Sequence, residues 1–264
     1  RSVSPTYAQE IQTPEQGCGL HHALQVRSPD LIGIQNGIDT EIWNPQTDPY
    51  LAAPYHLHDL CGKAVCKRIL QEAFHLKVDP QLPLFASVAR LYPQKGLDAL
   101  APVIPYLVQQ KAQFVLLGTG DPQQENAYRA LAQAYPGWVG TYIGYQPHLE
   151  HQIQAGADFF VMPSRFEPCG LTQLYAMRYG TVPIVRATGG LIDSVTPWDP
   201  HTGQGTGLRL ETLSQTELQN ILHQACWLYR QNPQTYQQLQ YNGMRQDLSW
   251  DRPAQKYEAV YQWA

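Results

Sequence analysis

The chain is short of charge. Only 15% of its 264 residues are Asp, Glu, Lys or Arg, and 18 basic residues are outnumbered by 22 acidic ones, for a formal net charge of −4. That balance offers no basic face for nucleic acid or for an anionic membrane. Glutamine and tyrosine carry much of the polar surface instead. Long apolar runs are missing as well. None approaches the ~20 residues that span a bilayer, and no apolar core follows Arg1-Ser2-Val3-Ser4-Pro5 to make a signal peptide. The five cysteines (Cys18, Cys61, Cys66, Cys169 and Cys226) are odd in number and form no CxxC pair. They do not supply a zinc framework and read as reduced thiols of a cytoplasmic or plastid-stromal protein. The His56-x-His58 pair lacks a third ligand, so no metal site is expected. There is no GxxxxGK[ST], which argues against P-loop hydrolysis of ATP.

What is present is a regular alternation. Candidate strands are Leu31–Ile34, Leu84–Val88, Phe114–Leu117, Val139–Ile143, Phe159–Met162 and Val182–Val185. Segments of helical period lie between them, at about 59–76, 95–110, 122–135, 147–155 and 171–179. Continuous apolar strands separated by helices indicate a parallel sheet covered on both faces. The fold class is therefore α/β, a doubly wound parallel sheet, with ligands expected at the carboxyl ends of the strands. After Leu210 the pattern turns helical, over 214–231, 233–245 and 251–263, with Pro233 and Pro253 near helix starts. Residues 1–28, with Pro5, Pro14, Gly17, Gly19 and no clear period, read as a connecting segment. Residues 29–250 form the body and 251–264 a terminal helix. The glycines of 201–207 read as a loop.

Several of the expected strand ends carry chemistry. Ser164-Arg165-Phe166-Glu167-Pro168-Cys169-Gly170-Leu171-Thr172 sits between the strand Phe159–Met162 and a helix. A helix start offers free amide N–H groups and partial positive charge, which suit a diphosphate. Glu167 beside it would touch whatever the phosphate carries, a sugar being the obvious candidate. Arg90 and Lys95 follow another strand, and two cations there can stabilise charge on a departing diphosphate; solvated surface cations are the alternative. Gly118-Thr119-Gly120-Asp121 is either a close backbone approach to a ligand or a tight turn with Asp121 capping a helix. Tyr145 could stack on a base. Thr188-Gly189-Gly190-Leu191 could approach a phosphate or simply open a helix. Asn36-Gly37 marks a turn, and Cys169 is a small residue at a helix start with no paired histidine.

These pieces fall in one order. Val88-Ala89-Arg90-Leu91 with Gln94-Lys95-Gly96-Leu97, then Leu117-Gly118-Thr119-Gly120-Asp121, Ile143-Gly144-Tyr145, Pro163 through Leu174, and Thr188 through Leu191, closely resemble bacterial glycogen synthase and plant starch synthase. The resemblance covers essentially the whole chain, including Val3-Ser4-Pro5-Thr6-Tyr7-Ala8 and Asn36-Gly37-Ile38-Asp39. It implies transfer of glucose from ADP-glucose to the non-reducing end of an α-1,4-glucan, with retention of configuration and with neither metal nor cofactor. It also implies a GT-B arrangement of two Rossmann-like domains with the site between them. By that resemblance Arg90 and Lys95 would hold the diphosphate, Glu167 the donor glucose, and the amides of Gly170, Leu171 and Thr172 the phosphate, beside Cys169. Tyr145 would stack on adenine and Asn36 would lie near the glucose. Many relatives of this architecture carry a second glutamate eight positions after the first. Tyr175 stands there, as the resemblance to glycogen synthases implies. The family's Lys-x-Gly-Gly-Leu donor loop is absent. The chain is thus expected to be the C-terminal, donor-binding half, inactive alone, with its last helix returning toward a missing N-terminal domain. A non-catalytic nucleotide-sugar-binding module is the alternative.

Overall fold

The computed structural model describes residues 1–263. Six strands make one sheet: β1 (Leu84–Leu91), β2 (Gln113–Gly120), β3 (Val139–Ile143), β4 (Phe159–Met162), β5 (Val182–Arg186) and β6 (Leu208–Leu210). Twelve helices accompany them: α1 (Pro5–Glu10), α2 (His21–Val26), α3 (Cys61–Ala73), α4 (Leu97–Leu100), α5 (Ile104–Gln109), α6 (Pro122–Ala134), α7 (Pro147–Gly156), α8 (Thr172–Arg178), α9 (Gly189–Ser194), α10 (Gln215–Gln231), α11 (Pro233–Met244) and α12 (Asp251–Trp263). Every strand pair is parallel, in the order β3-β2-β1-β4-β5-β6. The order reverses between β1 and β4, and in such sheets a crevice opens beyond the carboxyl ends at that point. No helix among the described residues is long and apolar enough to cross a membrane.

Alternation along each strand divides the core in two. Phe85, Phe114, Leu116, Phe159, Val161 and Ile184 face one side, under α4, α5 and α10 with Leu97, Leu107 and Leu222. Leu84, Ala86, Val115, Leu117, Phe160 and Val185 face the other, under Leu70 of α3, Ile153 of α7, Ala176 of α8 and Leu191 of α9. Both faces are covered, which is why β4 reads as an unbroken apolar run and is buried at all four positions.

The amino ends of the strands are joined by a buried ion pair. Lys67 of α3 lies 2.7 Å from Asp158, the residue just before β4, and the same Asp158 carboxylate accepts the Leu84 amide of β1 at 2.7 Å. Lys67 also donates to Leu82 O and to the Tyr229 hydroxyl, each at 2.7 Å.

Four features differ from expectation. Leu31–Ile34 is no strand: Gly33 makes an isolated bridge to Ser2, so the apolar run meets the start of the chain and not the sheet. The stretch 1–28 contains α1 and α2, each too short at six residues to show a helical period. Helix α1 is docked: Thr6 bonds Asp193 through its amide at 3.0 Å and its hydroxyl at 2.6 Å, and Glu10 accepts the Gly189 amide at 2.8 Å. The long helix at 95–110 is broken into α4, a 3-10 turn at Ala101–Val103 and α5, because Pro102 has no amide proton to continue it. Finally, the three-residue edge strand β6 carries too little pattern to be read from sequence.

Candidate active site

A cleft of about 590 Å³ lies beyond the carboxyl ends of β1, β2 and β4. Its walls come from the loops after β1 and β4, which are laced together. Gly96 follows a 3-10 turn at Pro93–Lys95 and sits at φ +66°, where only glycine is relaxed. A Cβ there would stand 1.8 Å from the Pro163 carbonyl, so the bare glycine lets the two loops touch. The Arg165 amide donates to Gln94 O at 2.7 Å, and the Arg165 guanidinium grips Asp98 with two bonds of 2.7 Å. This lacing aims Lys95 across the cleft at Glu167.

Lys95 Nζ lies 2.6 Å from Glu167 Oε2, and the buried Ser164 hydroxyl donates to the same oxygen at 3.1 Å. Glu167 is buried while Lys95 is half-buried, so the pair is shielded on the carboxylate side. Arg90 stands exposed at the rim, on the same side as Lys95. The Glu167 carbonyl accepts the Gly190 amide at 2.9 Å, and a Cβ on Gly189 would meet that carbonyl at 2.1 Å. Of the two readings of Thr188–Leu191, the structure therefore shows helix opening and close packing behind the loop. None of those residues lines the cleft.

The start of α8 is held open by a side chain. Gln173 donates to Cys169 O and Gly170 O, both at 3.1 Å, and to Ser194 Oγ at 3.0 Å. Gly170 is left-handed at φ +70°. The amides of Gly170, Leu171 and Thr172 have no acceptor among the described residues, and all three residues line the cleft. Cys169 is buried beside the Asn36 backbone, and burial pushes its thiol upward, which suits packing and not nucleophilic attack. Tyr145 is 82% exposed at the opposite wall, an open aromatic face. Gly118 and Thr119 form the floor. A Cβ on Gly118 would clash with Ala89 O at 2.2 Å, and Asp121 caps α6 through the amides of Gln123 and Gln124 at 2.7 and 3.1 Å. The tight turn with Asp121 as cap is therefore the reading seen, and Gly118 is required by the close approach of β1.

The cleft thus brings together Asn36, Arg90, Lys95, Tyr145 and Glu167, with the run Cys169 to Thr172, and leaves out Thr188–Leu191. One charged lining residue was not foreseen. Glu150, in the first turn of α7, reaches the same space. In sequence an acidic residue in a helix's first turn reads as a partner of the helix dipole, and nothing else marks it. Tyr175, at the position of the relatives' second glutamate, is stacked 3.6 Å from Trp43 at 9° and serves packing.

Comparison with known proteins identifies the family. Residues 70–243 match the family model described as glycosyl transferases group 1, and residues 1–26 match that of the starch synthase catalytic domain. The chain is 45% identical over 260 residues to glycogen synthase 1 of Geobacter metallireducens, covering 98% of this chain and 52% of that protein. It is 47% identical over 261 residues to the glycogen synthase of Myxococcus xanthus, covering 98% and 53%. Among solved structures, the catalytic domain of starch synthase IV from Arabidopsis thaliana, bound to ADP and acarbose, superposes with a TM-score of 0.94 at 39% identity, over 99% of this chain and 54% of that one. A sucrose-phosphate synthase from Thermosynechococcus elongatus shares the fold, with a TM-score of 0.63 at 22% identity, over 95% of this chain and 56% of that one. The chain spans about half the length of the curated relatives it matches. With the first of these family matches running through all the sheet loops that build the cleft, the chain belongs to the glycosyl transferases group 1 family.

Proposed function

We propose that the chain is the donor-binding half of a retaining glucosyltransferase that moves glucose from ADP-glucose to the non-reducing end of an α-1,4-glucan. The observation that carries this reading is the Lys95–Glu167 contact of 2.6 Å in a crevice at the sheet's reversal point. It sets a cation for a phosphate beside a carboxylate for a sugar. The leaving group of such a transfer is ADP, on which negative charge builds as the glycosidic C–O bond lengthens. Lys95 and Arg90 sit where they can neutralise that charge, and the amides of Gly170, Leu171 and Thr172 add donors that need no reorganisation. No step calls for a metal. Glu167, already held by Lys95 and Ser164, orients the donor glucose, with Asn36 and Cys169 lining the sugar's end of the cleft. Tyr145 offers its open ring to adenine.

The acceptor glucan and the rest of the site belong to a partner N-terminal domain. Residues 1–28 and the helix α12 are the stretches we assign to that connection. Ile38 bonds Leu248 O at 2.8 Å just before α12, which then carries mostly exposed side chains outward. The five cysteines are free, and we place the protein in a reducing cytoplasm or plastid stroma.

Glu167→Ala in the full-length enzyme tests the assignment. Turnover is expected to fall by ~10²-fold or more, the scale of a misplaced reacting group, while ADP still binds. Unchanged turnover would remove Glu167 from the sugar site and favour a nucleotide-sugar-binding module without catalysis.

A further inference from the structure

Glu150 is the carboxylate in the cleft with nothing to hold. Glu167 is committed to Lys95 and Ser164. The Glu150 side chain accepts no hydrogen bond and joins no ion pair among the described residues, although it is half-buried and lines the cleft. Its neighbour His151 does not serve as its partner, for that ring bonds Asp48 at 2.7 Å and stacks on Trp43 at 3.8 Å. Partial burial of an unpaired charge is costly, and here burial pushes the Glu150 carboxyl above the usual carboxylate range. A ligand that donates hydrogen bonds would offset that cost.

Its place along α7 says which part of a ligand it meets. One turn before it, the Gln146 carbonyl accepts the Glu150 amide at 3.3 Å, and Tyr145 adjoins Gln146. One turn after it, Gln154 donates to Thr172 O at 3.3 Å, at the phosphate-facing start of α8. Residues four apart lie on one helix face, about 6 Å from each other. Glu150 therefore stands between the aromatic platform and the phosphate loop. In a nucleoside diphosphate the piece between base and phosphate is the ribose. Its vicinal diol presents two adjacent O–H donors, and a carboxylate presents two adjacent acceptors, a match for short charge-assisted bonds.

We infer that Glu150 binds the 2′,3′-diol of the donor nucleotide's ribose. This rests on the reading that the cleft takes a nucleoside diphosphate. The repulsion between Glu150 and that diphosphate is met by Arg90 and Lys95 on the opposite wall.

Calorimetric titration of the chain with ADP, 2′-deoxy-ADP and inosine diphosphate tests it, using wild type, Glu150→Gln and Glu150→Ala. Wild type is expected to bind ADP ~10- to 100-fold more tightly than 2′-deoxy-ADP, the range for a hydrogen bond to a charged group. Glu150→Ala should weaken ADP by a similar factor and lose the preference, with Glu150→Gln between the two. Inosine diphosphate keeps the ribose and lacks the adenine amine, so it should lose as much as ADP does in Glu150→Ala. Two outcomes would overturn the inference: an undiminished preference for ADP over 2′-deoxy-ADP in Glu150→Ala, or a loss in that variant that spares inosine diphosphate, which would place the carboxylate on the base. Failure of wild type to bind any of the three would instead sink the nucleotide reading on which the inference stands.

Discussion

Replacing Arg90 and Lys95 together by alanine is expected to lower glucosyl transfer by at least ~10³-fold in an enzyme carrying this half, and to weaken ADP binding in the chain itself. Removal of one preorganised donor from a site of developing negative charge costs ~10²- to 10³-fold in turnover. Here two cations serve one diphosphate from the same strand end. Lys95 is the more consequential, because its loss also releases Glu167: the 2.6 Å contact disappears and the buried carboxylate keeps only Ser164. Lys95→Ala should therefore damage the sugar side as well as the phosphate side, whereas Arg90→Ala, at the exposed rim, should act mainly on the phosphate. Steady-state kinetics of the two single variants and the double variant will show this. Because both residues face one ligand group, their effects should not add. Turnover within tenfold of wild type in the double variant would contradict the assignment.

A second large effect is expected far from the cleft. Asp158→Ala should destabilise the fold by about 3–5 kcal/mol, the range for breaking a buried ion pair from one side. Asp158 and Lys67 are both almost fully buried, at 8% and 7% side-chain exposure, so water cannot replace the lost partner. The substitution also frees the Leu84 amide that Asp158 accepts at 2.7 Å, at the point where β1 and β4 begin to pair. Lys63 adds to the cost. It is buried, bonds the Ala155 carbonyl at 2.9 Å and Thr181 at 2.7 Å, and burial pushes its ammonium down to about 7 despite the support of Asp158. Without Asp158 both lysines lose the counter-charge that supports them. Since a domain's whole stability is ~5–15 kcal/mol, a urea titration should show a midpoint shifted by a large fraction of its value. A loss under about 1 kcal/mol would mean the pair is replaceable.

The parts of this molecule legible in sequence are those where one physical requirement dominates. Strand β4 is buried on both faces, so Phe159 to Met162 are all apolar and stand out. Helices α6 and α11 begin with Asp121-Pro122 and Asn232-Pro233, side-chain caps followed by a proline that needs no amide partner. The cleft residues were legible mainly as an ordered set of motifs, since Arg90 or Tyr145 alone is indistinguishable from a surface residue. What was hidden depends on distant partners. Helix α1 is held by Asp193 and Gly189, 187 and 179 residues from their partners. Leu31–Ile34 has strand composition, yet its neighbour is Ser2. Glu150 shows its isolation only once the side chains around it are seen to be paired elsewhere.

The central claim is that the crevice between the β1 and β4 loops takes a nucleoside diphosphate. Amide-resolved nuclear magnetic resonance of the chain during titration with ADP tests it most directly. The expected result is a set of saturable shifts at Lys95, Gly170, Leu171, Thr172 and Tyr145, which vanishes in Lys95→Ala. Shifts confined to the second groove, lined by Lys67 of α3, Asp158 and Tyr236 of α11, or none at millimolar ADP, would contradict it.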